Sequence, residues 1–437
     1  MSRREHGRYP VYDIVGIGFG PANLALAIAV EEHNAAVGPS ERVSSVFLER
    51  QPEFRWHPGM LIDGTVMQVS FLKDLATMRN PTSGFGFVSY LYSRGRLVDF
   101  INYKTLFPTR VEFHDYLSWA AERMRHAVRY GHEVVAVRQA GNAQVEVESR
   151  DAATGQTTTI LARNAVFGVG LSPVMPEGVE RSARVWHSSE LLHRASELEG
   201  TEPRRLVVVG AGQSAAECTD YLHGAFPGAE VCAVFTRYGY SPADDSPYAN
   251  RIFDPHAVGE FFAADEDVKA RLMDYHRNTN YGVVDLELIE DLYRKAYLEK
   301  VRGRQRLRMI NASRVVDMNE AAGGVRVRVR SLLDGTSEEL AADAVVFATG
   351  YEPGDIRPLL GELDRRCVRD ERGLPVVERD YRIRTDRQFH CGLYLQGGTE
   401  HSHGITSSLL SNVAVRGGEI VTSVLNRRAA APTLLAA

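Results

Sequence analysis

Two stretches of the chain repeat one hydrophobic pattern. Residues 12–17 (YDIVGI) form a short apolar run, and the following GFGPANLALAIAVEE passes from glycine-rich to apolar positions at helical spacing. Residues 206–224 (LVVVGAGQSAAECTDYLHG) do the same, a continuous apolar strand leading through Gly210 and Gly212 into a helix that runs to about His223. Each predicts strand, glycine turn and helix, and two copies in one chain predict two nucleotide-binding modules.

Between and after these openings the pattern alternates. Val43–Glu49 reads as the second strand of the first module, and residues 50–110 are loop-rich and polar, as expected of a segment lining a site. Phe113, Tyr116, Leu117, Ala120 and Met124 stand at helical spacing within 111–128. Strands are predicted at 133–138, 144–149, 157–161, 165–169, 229–235, 306–316, 324–331 and 344–348, a largely helical stretch at 248–298, and a last helix over about 404–425. The fold class is α/β, with two Rossmann-like domains and a smaller, mostly helical substrate region. The division expected is 1–200 and 343–437 for the first domain, 201–245 and 300–342 for the second, and 246–299 for the helical region.

Length agrees with this division, since 437 residues exceed the ~250–300 at which single cores stop growing. The charge, 51 minus 56 or −5, is dispersed, which argues against a nucleic-acid surface. The basic run KVRGRQRLR (300–308) reads as a solvated linker and strand face, because acidic segments flank it. No apolar run approaches the roughly 18–20 residues of a membrane span, and the N-terminal MSRREHGRYP has no apolar region behind its charges, so a cytoplasmic protein is expected. Cys218, Cys232, Cys367 and Cys391 form no CxxC and no metal-ligand spacing, which disfavours a disulfide-based flavoenzyme and any metal site.

A strand opening into a helix through glycines presents unpaired N–H groups to a pyrophosphate. Gly16, Gly18 and Gly20 fit that description, with Pro21 at the third glycine position of GxGxxG, and Glu49 ends the next strand where it can accept from ribose hydroxyls. In the second module Gly210, Gly212 and Ala215 form GxGxxA, and the second strand ends in Thr236-Arg237, which favours the 2′-phosphate of NADPH. One site with an acid and one with a base point to a flavoprotein whose FAD is reduced by NADPH.

Longer blocks carry a specific resemblance. FRWHPGM (54–60), MQVSFLKDLATMRNPTS (67–83), GRLVDFINYKTLFPTRVEFHDYLSWAAE (95–122), GAGQSAAE (210–217), DDSPYANRIFDP (244–255), NTNYGVVD (278–285) and SHGITSSLLSNVAVRGGE (402–419) are similar to the N-hydroxylating flavin monooxygenases of siderophore biosynthesis, most closely the L-ornithine N5-monooxygenases. The resemblance runs from about Val11 to Leu425. It implies FAD contacts from the Gly16 loop with Asn23, Glu49, Trp56, His57 and Gln68, with Val134 near the adenine and Leu409 near the isoalloxazine. It implies NADPH contacts from Gly210, Gly212, Gln213, Ser214 and Arg237, with Asn280 and Tyr281 near the nicotinamide half. Lys73 would pair with the substrate carboxylate, Asn250 with its α-amino acid end, and Asn280 and Ser411 would position its chain. A homotetramer is implied as well.

The reaction implied is NADPH- and O2-dependent hydroxylation of the L-ornithine side-chain amine through a C4a-hydroperoxyflavin, with no side chain acting as acid or base. The amine must be neutral, although a free alkylamine titrates near lysine, about 10.4, so neutral amide and hydroxyl neighbours are expected around it. Alternatives remain: hydroxylation of L-lysine or an aliphatic diamine, or a flavin reductase or oxidase. One methylene is worth only ~1–3 kcal/mol in an apolar pocket. Where ornithine enzymes read GLSDSLLS or GLSDTLLS, this chain has Ser407 in place of the acid, which either alters a helix cap or shifts substrate preference.

Overall fold

The computed structural model describes residues 10–321 and 323–434. Its strands, in chain order, are β1 (Val11–Ile17), β2 (Ser45–Glu49), β3 (Val128–Tyr130), β4 (His132–Gln139), β5 (Val145–Asp151), β6 (Thr157–Phe167), β7 (Leu171–Pro173), β8 (Val185–His187), β9 (Arg205–Val209), β10 (Glu230–Val234), β11 (Leu307–Ile310), β12 (Ser313–Ala321), β13 (Gly324–Ser331), β14 (Ser337–Ala342), β15 (Ala344–Phe347), β16 (Tyr351–Pro353) and β17 (Gly392–Leu395). The α-helices are α1 (Pro21–Ala36), α2 (Phe87–Ser93), α3 (Leu97–Tyr103), α4 (Arg110–Arg123), α5 (Leu191–Glu197), α6 (Gln213–Ala225), α7 (Pro255–Ala263), α8 (Glu266–Tyr275), α9 (Leu286–Val301), α10 (Arg357–Leu360), α11 (Glu400–His403) and α12 (Val413–Leu434).

Two sheets organise the molecule. The first has the order β3-β2-β1-β6-β5-β4, with β17 also pairing β6, and the second has the order β11-β10-β9-β15-β8. β1 pairs in parallel with β2 and β6, while β4, β5 and β6 form an antiparallel excursion. β6 is one strand of 11 residues, because its outer half pairs β5 and its inner half pairs β1 and β17. α1 and α12 cover one face of the first sheet, and Phe113, Tyr116, Leu117 and Ala120 of α4 are buried there as their spacing predicted.

The domain boundaries shift in two places. β15 pairs in parallel with β9 and β8, so residues 344–347 and 185–187 belong to the second sheet, and the chain returns to the first module only later, with β17. A short buried parallel strand is apolar on both faces whichever sheet holds it, so its sequence does not show its partner. α9 packs on α6 and β11 and buries Leu292 in the core beneath the second sheet, so it is that module's connecting helix rather than part of the substrate region. The last long helix begins at Val413; residues 405–412 form two short 3-10 turns.

Two cations of the basic run are paired locally, Arg306 with Glu299 at 3.3 Å and Arg308 with Glu338 at 2.7 Å. All four cysteines are unpaired and buried, and burial pushes the thiols up, Cys367 to about 11 and Cys232 and Cys391 to about 12. Among the described residues no helix is long and apolar enough to cross a membrane.

Candidate functional site

The turn between β1 and α1 is built from Gly18 and Gly20. Gly18 has φ +83° and a Cβ there would stand 2.4 Å from the Gly168 carbonyl oxygen, while Gly20 caps α1. In the second module Gly210 (φ +145°) and Gly212, which caps α6, occupy the same two roles. The fingerprint is therefore Gly18-x-Gly20-x-x-Asn23, with Asn23 rather than Pro21 at the third position. Gly16 lies inside β1, where a Cβ would meet the Phe47 ring at 2.1 Å, so it serves packing between β1 and β2 and is not part of the turn.

Asn23 closes this turn by donating to the carbonyls of Ile17 (3.3 Å) and Gly18 (2.8 Å), and its buried Oδ1 has no partner. Glu49 accepts from the N–H of Phe19 (2.7 Å) and of Gln51 (2.8 Å), one through each oxygen. Each carboxylate oxygen keeps a second lone pair for a ribose hydroxyl. Trp56 packs edge-on against Phe113, and His57 takes a left-handed backbone (φ 48°) between the Trp56 and Tyr351 rings. The surrounding protein and then the Arg110 charge lower the His57 imidazole below its ordinary value. Val134 is buried in β4 among the core residues of the first sheet.

Around Gly212, the second module places a cation. Arg237 donates to the Gly282 carbonyl, and Gly282 approaches so closely that its Cα lies 3.4 Å from where a Gly212 Cβ would be. Arg237 has no acidic partner within ion-pair distance among the described residues. Asn280 and Tyr281 precede Gly282 directly, and the Tyr281 hydroxyl donates to Glu400 at the start of α11. Ser214 lies half-buried in the first turn of α6.

The side chains of Gln213 and Gln68, both expected as cofactor contacts, meet at Asp285. Gln213 accepts from the Asp285 N–H (2.8 Å) and donates to the Asp285 carboxylate (2.9 Å) and to Glu217 (3.1 Å), while Gln68 donates to the other Asp285 oxygen (3.0 Å). Both ends of the Gln213 amide are engaged within the protein, whereas Gln68 is exposed and its side chain donates only to Asp285 among the described residues. Arg110, Glu217 and Asp285 fall inside the blocks 95–122, 210–217 and 278–285, but nothing in those blocks marks them as partners of one another.

The third cluster joins the loop after Met67 to the 3-10 turn Ala249–Phe253. The Lys73 ammonium lies 5.7 Å from the centre of the Phe253 ring, and burial lowers it while Asp254 raises it, the net shift being downward. Asp74 does not pair with Lys73: its carboxylate accepts from the N–H groups of Ala76, Thr77 and Phe87 and the Thr77 hydroxyl. Asn250 donates to the Asp245 carbonyl at 2.6 Å. Asn412, which sequence reasoning missed, donates to the Phe253 carbonyl at 3.1 Å and thereby draws the Leu409–Ser411 segment to this turn. Ser408 Oγ, Ser411 Oγ and Asn412 Oδ1 are buried without partners.

Ser407 turns away from this cluster. Its hydroxyl accepts from the Thr399 N–H at 2.8 Å and pairs with the Thr399 hydroxyl, and its carbonyl accepts from Arg416 at 2.5 Å, so it ties the 405–408 turn to Thr399 and Arg416.

These features fit two dinucleotides and a small amine: two glycine turns at helix N-termini, an acid and a cation beside them, and unpartnered hydroxyl and amide oxygens near one ammonium. Curated relatives agree, among them the L-ornithine N(5)-monooxygenase of Burkholderia cepacia, 40% identical with 91% of this chain and 90% of the relative covered. The ornithine N-hydroxylase of Kutzneria sp. 744, solved with reduced FAD, NADP+ and L-ornithine, is 48% identical, with a TM-score of 0.92 and 96% and 100% of the two chains covered. The L-lysine 6-monooxygenase of Pseudomonas syringae is 31% identical, with a TM-score of 0.84 and 95% and 99% covered. Residues 10–353 match the family described as L-lysine 6-monooxygenase/L-ornithine 5-monooxygenase, and the chain belongs to that family.

Proposed function

We propose that this protein hydroxylates the side-chain amine of L-ornithine, using FAD, NADPH and dioxygen, and that its product, N5-hydroxyornithine, is acylated to a hydroxamate in siderophore assembly. The observation that carries this reading is Lys73: a half-buried ammonium without an ion pair among the described residues, beside the turn Ala249–Phe253 that holds Asn250 and to which Asn412 draws a segment of unpartnered hydroxyls. Bound flavin supplies acceptance of hydride from NADPH and the activation of dioxygen. The protein supplies position and dryness. Lys73 holds the substrate carboxylate, Asn250 its α-amino acid end, and Asn280 and Ser411 steady the chain, so that the distal amine reaches the flavin edge next to Leu409.

The surroundings of that amine are neutral. Amides and hydroxyls stabilise its ammonium form less than a carboxylate would, and burial disfavours the charge, so the amine gives up its proton more readily than the ordinary value of about 10.4. Arg237 meets the 2′-phosphate of NADPH, and the Gly18–Asn23 turn and Glu49 hold FAD. A homotetramer and a cytoplasmic setting belong to the same reading. L-lysine is the second reading, because the family comprises both activities.

The test is purified protein with FAD and NADPH, assayed for hydroxylamine across ornithine, lysine, putrescine and cadaverine. Hydroxylamine from ornithine at the highest kcat/KM is expected. Product from another amine, with ornithine yielding only hydrogen peroxide, sinks the ornithine assignment.

A further inference from the structure

The polar side chains spent on Asp285 form part of a longer chain of contacts. Arg110, at the start of α4 in the first module, donates to the Met60 carbonyl (3.0 Å) and forks onto both oxygens of Glu217 on α6 (2.7 and 2.9 Å). Glu217 is 4% exposed and shares one oxygen with Gln213, one helical turn earlier on the same face. Gln213 is gripped at both ends of its amide by Asp285, the residue that precedes α9, and Asp285 is held on its far oxygen by Gln68 of the first module. The contacts thus leave the first module at Arg110, cross two elements of the second, and return to the first at Gln68.

We propose that Arg110, Glu217, Gln213, Asp285 and Gln68 form a strap that fixes the N-terminal turn of α6 against the first module and so sets how tightly the nicotinamide dinucleotide is retained. The N–H groups of that turn, beginning at Gln213, are the donors a pyrophosphate needs. A helix N-terminus binds an anion well only when it is already held where the anion arrives, since each group ordered on binding lowers the affinity. Gln213 links the two functions: its backbone belongs to the pyrophosphate turn and its side chain to the strap. The Arg110–Glu217 fork is bidentate and buried, so it specifies an angle as well as a contact. These five are positioning residues. The strap rests on the reading of the second module as the NADPH site, but not on the identity of the amine.

The experiment titrates FAD-loaded protein, without any amine, with NADP+ and with NAD+, by calorimetry, alongside the flavin-to-protein ratio. Glu217→Gln and Asp285→Asn are expected to weaken both dinucleotides by a common factor of ten or more while flavin content stays at the parent value. Arg237→Ala, acting on the 2′-phosphate alone, is expected to weaken only NADP+. Should Glu217→Gln fail to fold, Asp285→Asn decides, because its loss removes no member of the buried ion pair. Parent-like NADP+ affinity in the strap variants, or a loss that merely tracks lost flavin, overturns the strap. A parent protein that hydroxylates no ornithine yet shows this binding pattern overturns the proposed reaction and leaves the strap standing.

Discussion

Lys73 carries the charge that the amino-acid end of the substrate needs, and its surroundings set how it titrates. A charge-assisted contact is worth ~1.5–3 kcal/mol, so Lys73→Ala should raise the KM for ornithine by roughly 10- to 100-fold, at about 1.4 kcal/mol per factor of ten. Flavin reduction by NADPH should be mostly intact; equal loss of both would take Lys73 out of the substrate site. Because burial lowers its ammonium, ornithine affinity should fall with rising pH earlier than for an ordinary lysine, and a KM–pH profile of Lys73→Arg should not show that fall. Arg237→Ala should narrow the preference for NADPH over NADH by about tenfold, and an unchanged ratio would remove the guanidinium from the phosphate. Lys73 was singled out by the family-like block 67–83 and Arg237 by its place at a strand end. The uses of Gln68 and Gln213 were not, since their common partner lies 217 and 72 residues away.

At the scale of elements, the two strand–turn–helix units were readable because glycines and apolar runs report local geometry. Which glycines form the turn was not, since GIGFG offers two registers and only the backbone distinguishes them. Gly18→Ala tests the register: the added Cβ has both a left-handed φ and the Gly168 carbonyl against it, a strain of ~1–3 kcal/mol. Protein purified from this variant should carry much less flavin than the parent, whereas full flavin content would restore the Gly16 register. The loop bearing Lys73 is tied to α1 by Glu32. Burial alone would raise that carboxyl, but hydrogen bonds from Ser83, Asn80 and Arg79 bring it below its ordinary value. A carboxyl lowered by folding adds stability that is complete above its unfolded value and is lost as pH falls through the folded one. Acid denaturation of Glu32→Gln should therefore show less loss across that window than the parent.

For the whole molecule, the composition and the glycine patterns announced two modules, but the sheets show how the chain is divided between them: β8 and β15 are too short and too uniformly buried to declare their sheet. The contact between the modules was illegible altogether, because a buried Arg–Glu pair from positions 110 and 217 has no local signature. Removing one partner of such a pair costs ~3–5 kcal/mol, whereas replacing both by apolar residues is often neutral. Arg110→Ala should lower the urea midpoint accordingly, and Arg110→Met with Glu217→Leu should recover stability without recovering dinucleotide affinity. Recovery of both would reduce the pair to ordinary packing.

The four buried cysteines have a consequence for durability. An enzyme that activates dioxygen releases oxidants near its own side chains whenever a turnover aborts, and thiolates are the sulfur groups most rapidly attacked. With every thiol enclosed and its ionisation pushed out of the neutral range, the chain offers no thiolate to sulfenic acid formation. Met78, 41% exposed, is a site where damage should register first, and mass spectrometry after prolonged turnover should find the sulfoxide there before any modified cysteine.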